Sequence, residues 1–296
     1  MAGLFRLSNY DKPGKGIEKD DPQKRGISLY FDIFFRRLRK ICALNVFYVL
    51  FSIPAFIIAW FVCAGLLTFL ASATGVVFPE DIPYLRVLTL FSAILMVIIC
   101  GSGPASVATN YVLRKYANDT HSWAWSDFVE QTCKNFKQGL QIYIVNTVIT
   151  TLIIFAYMFY SLMPGNPFKG VMSFVLLFLF AVFVIMQLYT YHLACAFELK
   201  TRHIYRNAFL LAFLGIKWNI LAVLSDGVII YFTFKLSLTI PLAGIVIGIL
   251  LLFSVISYTQ IFITNNTVKK YVLEPFLNQT SEKSQSDNFD SEFEDI

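Results

Sequence analysis

The chain has 296 residues, of which 57% are hydrophobic and 15% charged, with a formal net charge of +5. A soluble globular domain carries about 25% charged residues. Here the charges fall in short blocks separated by uncharged runs of about 20 residues or more, the length a membrane span needs. That pattern excludes an ordinary soluble domain. The basic N-terminal block abuts a membrane span, so the positive-inside rule accounts for it and nucleic-acid binding is not needed.

Residues 1–26 mix charge with helix breakers (Asp11-Lys12-Pro13-Gly14, Asp20-Asp21-Pro22) and read as a flexible leader. No apolar signal-peptide core lies within them, so the first span is expected to serve as the targeting signal. From Ile27 to Lys40, Ile27, Tyr30, Phe31, Phe34, Phe35 and Leu38 recur at helical spacing, and Arg36, Arg37, Arg39 and Lys40 crowd the end. This predicts an interfacial helix with basic side chains at the lipid headgroups, closing a leader region over 1–40.

No charged residue occurs between Ile41 and Pro79. Span one is placed at about 43–70, tilted or bent near Pro54, and Glu80, Asp81 and Pro83 mark a short exit. Further spans are expected at about 87–110, 139–162, 171–196, 217–235 and 239–263, with Pro164-Gly165-Asn166-Pro167 as a turn after the third. The fifth has the weakest pattern, because Asp226 sits in its middle. The membrane domain covers 41–266, and 267–296 form a polar tail, acidic from Ser281 and expected to be disordered.

Twenty-one Lys and Arg residues lie in the N-terminal block, the segments 112–137 and 198–217, and the C-terminal region, against three (Arg86, Lys169, Lys235) in the other connections. The 21 belong on the cytoplasmic side of a plasma membrane, with both termini. The expected architecture is therefore an all-α membrane protein: six transmembrane helices in three outward-pointing hairpins, joined by interfacial cytoplasmic helices. One such helix is predicted over 126–140, with Ser126 as N-cap, Asp127 and Glu130 in its first turn, and Lys134 and Lys137 near its end. Trp123 and Trp125 precede it, as expected at headgroups. Similar placement of Asn135-Phe136-Lys137 and Lys217-Trp218-Asn219 hints at repetition.

Polar residues inside spans carry the functional reading. A carboxylate at mid-span costs about 2.5–3.5 kcal/mol on the insertion scale, so Asp226 must be offset or protonated. At 1.5 Å per residue it lies roughly 14 Å from the inner end of its span, and Asn146, Gln187 and Gln260 reach roughly 13–16 Å in theirs. The four are expected to face one interior, either as a solute site or as interhelical glue. His192 could pair with Asp226 as a proton relay, or be a satisfied structural residue. Gly101-Ser102-Gly103-Pro104 interrupts the second span, since Pro104 removes a backbone hydrogen bond and the glycines permit bending or close approach. Broken helices line binding sites in transporters; the alternative is a packing kink. Trp125, Asp127, Phe128, Lys134, Phe136 and Lys137 form a candidate docking helix for a cytoplasmic partner, or an elbow on the inner leaflet. The five cysteines (Cys42, Cys63, Cys100, Cys133, Cys195) lack C-x-x-C spacing and read as small hydrophobes.

The stretch GPASVATNYVLRKYANDTHSWAWSDFVEQTCKNFKQGLQI from Gly103 to Ile142, with the leader KPGKGIEKDDPQKRG, resembles the YesL-type family of bacterial integral membrane proteins, a family of unknown function. Gly103-Pro104-Ala105, Tyr111-Val112-Leu113-Arg114 and the segment from Trp125-Ser126-Asp127-Phe128 to Lys134-Asn135-Phe136-Lys137 carry the likeness. It implies a Gram-positive bacterial membrane protein associated with carbohydrate-uptake genes, and brings no catalytic residues.

An enzyme is not expected: only one acid lies inside the membrane, and the His-Glu-x-x-His, Gly-x-Ser-x-Gly and nucleotide-loop motifs are absent from the sequence. No cofactor is implied. The sequence points to a transport-associated protein, either an accessory subunit or a small permease. Its partners would be the lipid bilayer and other transporter subunits. The alternative is a regulatory or structural membrane protein.

Overall fold

The computed structural model describes residues 26–75, 83–162 and 168–274. The leader, the Glu80-Asp81 connection, the turn at 164–167 and the acidic tail lie outside them. The described residues are helical, without strands: α1 Ile27–Phe51, α2 Ile53–Thr74, α3 Pro83–Cys100, α4 Pro104–Ala117, α5 Ala124–Lys134, α6 Phe136–Leu162, α7 Lys169–Ala196, α8 Thr201–Leu214, α9 Ile216–Thr239, α10 Pro241–Ile247 and α11 Phe253–Val268. A π-helical segment, Gly248–Leu252, joins α10 to α11, and a second, Lys269–Leu273, follows α11.

Five stretches are long and apolar enough to cross a membrane: α2, α6, α7, α9 and the continuous Pro241–Leu273 helix. The α3–α4 pair makes a sixth if it counts as one span bent by 58°. Few residues in these windows are buried, from 11% to 33%. Their outer faces carry Phe61, Leu152, Phe174, Leu224 and Leu242, all exposed. So much exposed apolar surface is costly in water and free of cost against lipid tails. The helices describe a multi-pass membrane protein.

Several boundaries differ from the sequence expectation. The basic helix does not stop near Lys40 but runs to Phe51, and the first span begins at Ile53 rather than about residue 43. One face of 41–51 packs on protein, with Ile41, Leu44, Asn45 and Tyr48 buried, while Leu50 and Phe51 stay exposed. The break comes where Pro54 has no N–H for the Leu50 carbonyl, and Ser52 Oγ caps the Tyr48 carbonyl at 2.6 Å. Pro83, read as loop, opens α3. The helix expected over 126–140 is two helices parted at Asn135, so Phe136 and Lys137 belong to α6. Ser126 is not the N-cap. Trp123 holds that position without a side-chain cap, and Ser126 lies one turn inside. The last span extends to Leu273 and contains π-helical turns, so α3–α4 is not the only interrupted one.

Three buried clusters hold these helices together. Ile33, Leu44, Val112, Tyr116, Phe128 and Ile261 join α1, α4, α5 and α11. Ile142, Leu193, Ile204, Leu211 and Ala222 join α6, α7, α8 and α9. Ala59, Ala93, Met96 and Tyr143 join α2, α3 and α6. Small residues permit the closest approaches. A Cβ on Gly139 would lie 2.7 Å from the Pro104 backbone, so α6 and α4 touch through glycine.

Candidate functional site

The geometry begins at the break between α3 and α4. The Cys100 carbonyl would normally accept from the N–H four residues on, which is Pro104 and has none. Two side chains take its place: Asn146 Nδ2 at 3.0 Å from α6 and Tyr191 OH at 2.6 Å from α7. Gly101 and Gly103 stand at φ 73° and 71°, a region that disfavours side chains. A Cβ on Gly101 would also run into the Tyr191 ring. The break is thus built from glycine, proline, an amide and a phenol.

Buried amides serve other interruptions in the same way. Asn45 on α1 is fully buried and faces the π-helical turn between α10 and α11. It donates to the Ile249 carbonyl at 2.7 Å and the Gly248 carbonyl at 3.3 Å, and accepts from the Ser254 N–H at 2.6 Å. Asn219, one turn into α9, donates to the Leu211 and Ala212 carbonyls at 3.1 and 3.0 Å, closing the end of α8, and accepts from Tyr189 OH. In hydrocarbon each unpaired backbone group is costly, and these side chains restore the partners that the breaks remove.

The four mid-span residues singled out from the sequence form two pairs. Asn146 and Gln187 exchange amide hydrogen bonds of 2.8 and 3.1 Å, and Tyr205 OH donates to Asn146 Oδ1 at 2.6 Å. Gln260 Nε2 donates to Asp226 Oδ2 at 2.8 Å. The pairs meet at a cavity of about 240 Å³, lined among others by Gly101, Gln187, Tyr191, Asp226 and Gln260. Asn146 is not a lining residue; it is fully buried, with its amide on the helix break. His192 does not pair with Asp226. Its ring is buried, Nδ1 lies 3.5 Å from Thr264 Oγ1, and Nε2 has no partner.

Asp226 differs from the three asparagines: it caps no helix break. Its Oδ2 accepts from Gln260, and its Oδ1 is buried without a hydrogen-bond partner. Among the described residues no lysine, arginine or histidine lines the cavity. Among the described residues no group of three His, Cys, Asp or Glu side chains could hold a metal ion.

The segment read as a docking element is tied to the protein at one end and open at the other. Phe128 is fully buried, and Trp125, half exposed, packs edge-on against Phe47 at 4.9 Å between centroids. Asp127 accepts from Ser122 Oγ at 2.5 Å and pairs with Lys115 at 3.0 Å. Burial raises its carboxyl, but these two partners outweigh that and hold it below the ordinary value. Lys134 reaches Glu198 at 3.4 Å across solvent, while Phe136 and Lys137 are exposed at the start of α6. Nearby, Arg36 and Arg37 of α1 clasp Asp119 at 2.9 and 2.7 Å.

Sequence reasoning passed over Tyr48, Asn45, Tyr191 and Asn219. Tyr191 carried a legible signal, since it stands four residues after Gln187 on the same helical face. Asn45 carried none, because its partner is a backbone defect 203 residues away. Compared with protein-family models, curated proteins and solved structures, the chain matches none.

Proposed function

We propose that this is a six-span plasma-membrane protein with cytoplasmic termini that works in solute transport, as a small permease or an accessory subunit, and that the cavity beside Asp226 receives a small polar solute. The observation that carries this reading is a mid-helix carboxylate with one oxygen unpartnered, on a cavity that borders a broken span. An intramembrane acid is expensive and by default marks a pathway or site, and broken helices commonly line such sites. The asparagines offer a structural explanation for themselves; Asp226 does not. The three-hairpin arrangement is supported by α2 packing on α3, α6 on α7, and α9 on α10 and α11. Orientation rests on the 21-to-3 division of Lys and Arg. The resemblance to YesL-type proteins would connect the protein to carbohydrate uptake.

A second reading, a regulatory or structural membrane protein, draws on the amides at three helix interruptions, which rigidify the bundle without any solute. Copurification from mild detergent separates the two. Recovery of a transport ATPase or a solute-binding subunit is the expected result. Recovery of a sensor kinase or envelope machinery in their place refutes the transport reading.

A further inference from the structure

We propose that the cavity beside Asp226 binds a small organic ammonium cation, an inference that rests on the transport reading above and names its solute class. Three features converge. The first is charge: Asp226 supplies a carboxylate with its Oδ1 unpartnered, and among the described residues no cationic side chain lines the cavity to neutralise it. An anionic solute would meet this carboxylate with nothing to offset it.

The second is aromatic surface. Tyr48, Tyr191 and Phe253 line the same cavity. Tyr191 OH is spent on the Cys100 carbonyl, while Tyr48 OH lies 3.4 Å from Ser106 Oγ, itself on the cavity wall, so the tyrosines and Phe253 bring ring surface together with hydroxyl oxygens. Aromatic faces attract ammonium groups through the ring quadrupole, most strongly where water is excluded. Neutral Gln260 adds a carbonyl oxygen, since its amide nitrogen is directed to Asp226.

The third is the lack of a second carboxylate. A divalent ion such as calcium takes six to eight oxygens, carboxylates among them, whereas Asp226 is the one acid on the described lining and the described residues hold no group of three His, Cys, Asp or Glu side chains. The cavity volume, about 240 Å³, corresponds to roughly eight waters at about 30 Å³ each, enough for a small substituted amine.

Equilibrium binding of radiolabelled choline to the full chain in detergent micelles tests the proposal. Saturable binding is expected, not displaced by an equal concentration of 3,3-dimethylbutan-1-ol, its uncharged isostere. Asp226→Asn should weaken it by about tenfold or more, while Asp226→Glu keeps measurable binding and guards against a fold effect. Gly227→Phe should reduce it, because Gly227 lines the cavity and a Cβ there meets no atom within 4 Å. Absence of saturable choline binding, or equal affinity in Asp226→Asn, overturns the assignment. So does displacement of choline by sodium or potassium at equal concentration. Saturable myo-inositol binding that is lost in Gly227→Phe, without choline binding, overturns the ammonium class and leaves the transport reading standing.

Discussion

Replacing Asn45 with leucine removes a side chain of similar size that joins α1 to the π-helical turn at Gly248–Leu252. The wild-type amide satisfies the Ile249 carbonyl at 2.7 Å and the Ser254 N–H at 2.6 Å, with a longer contact to Gly248 at 3.3 Å. An average interhelical hydrogen bond in a membrane protein is worth only about 0.6 kcal/mol. Two backbone groups left without partners in a dry interior cost more, about 1–3 kcal/mol each. Because Asn45 is fully buried, water cannot substitute, and the larger figure governs. We expect Asn45→Leu to lose about 2–6 kcal/mol, which lowers the midpoint by roughly 4–24 °C. Thermal unfolding in micelles, followed by retention of the monodisperse peak, measures it. A further variant isolates the cause. A π-turn holds one residue more than the α-helix would, so deleting Ile249 in the Asn45→Leu background should restore a regular helix and recover stability. A shift below about 2 °C for Asn45→Leu, or no recovery on deletion, would refute the reasoning.

Gly139→Ala brings a Cβ to 2.7 Å from the Pro104 backbone and forces α4 and α6 apart, so a loss of about 1–3 kcal/mol is expected in the same unfolding assay. Arg37→Ala should cost more than Arg36→Ala. Arg37 is 14% exposed, bonds both Asp119 and the Thr120 carbonyl, and lies 4.9 Å from the Tyr116 ring centre, whereas Arg36 is half exposed; stability curves of the two variants give the order. For Asp119, burial raises the carboxyl but Arg36 and Arg37 outweigh it, so the folded value lies below the ordinary 3.8. Its contribution is therefore complete above that pH and is lost as pH falls through the folded value; stability titrated from pH 6 to 3 should drop less in Asp119→Asn than in the parent. Cys133 is the one exposed cysteine among the described residues. A membrane-impermeant maleimide should label it in permeabilised cells and not in intact ones; the reverse would overturn the orientation.

Much of this molecule can be read from one dimension. Uncharged stretches of membrane length announce α6, α7 and α9 to within about four residues, Asp226 notwithstanding, because the requirement they meet is a property of the bilayer and not of neighbouring helices. Pro104 announces the break in the second span, since a missing N–H is a property of the residue itself. Asp226 stands out for the same reason: its cost comes from the medium.

What the sequence leaves open is decided by partners. The charge-free run from Ile41 to Pro79 gives no boundary between α1 and α2, because α1 carries on past Lys40 with Ile41, Leu44, Asn45 and Tyr48 packed on protein while most of 53–74 is exposed, and hydropathy does not separate the two environments. Depth along a span groups Asn146, Gln187, Asp226 and Gln260 together, but only the packing of the helices divides them into two pairs, puts Asn146 on a broken backbone and leaves Asp226 Oδ1 beside an open cavity. Composition and the bilayer set where most of the spans lie and about how long they run. Which polar side chain repairs a defect and which keeps an unpartnered oxygen beside a cavity depends on contacts between residues far apart in the chain, and those exist only in the folded bundle.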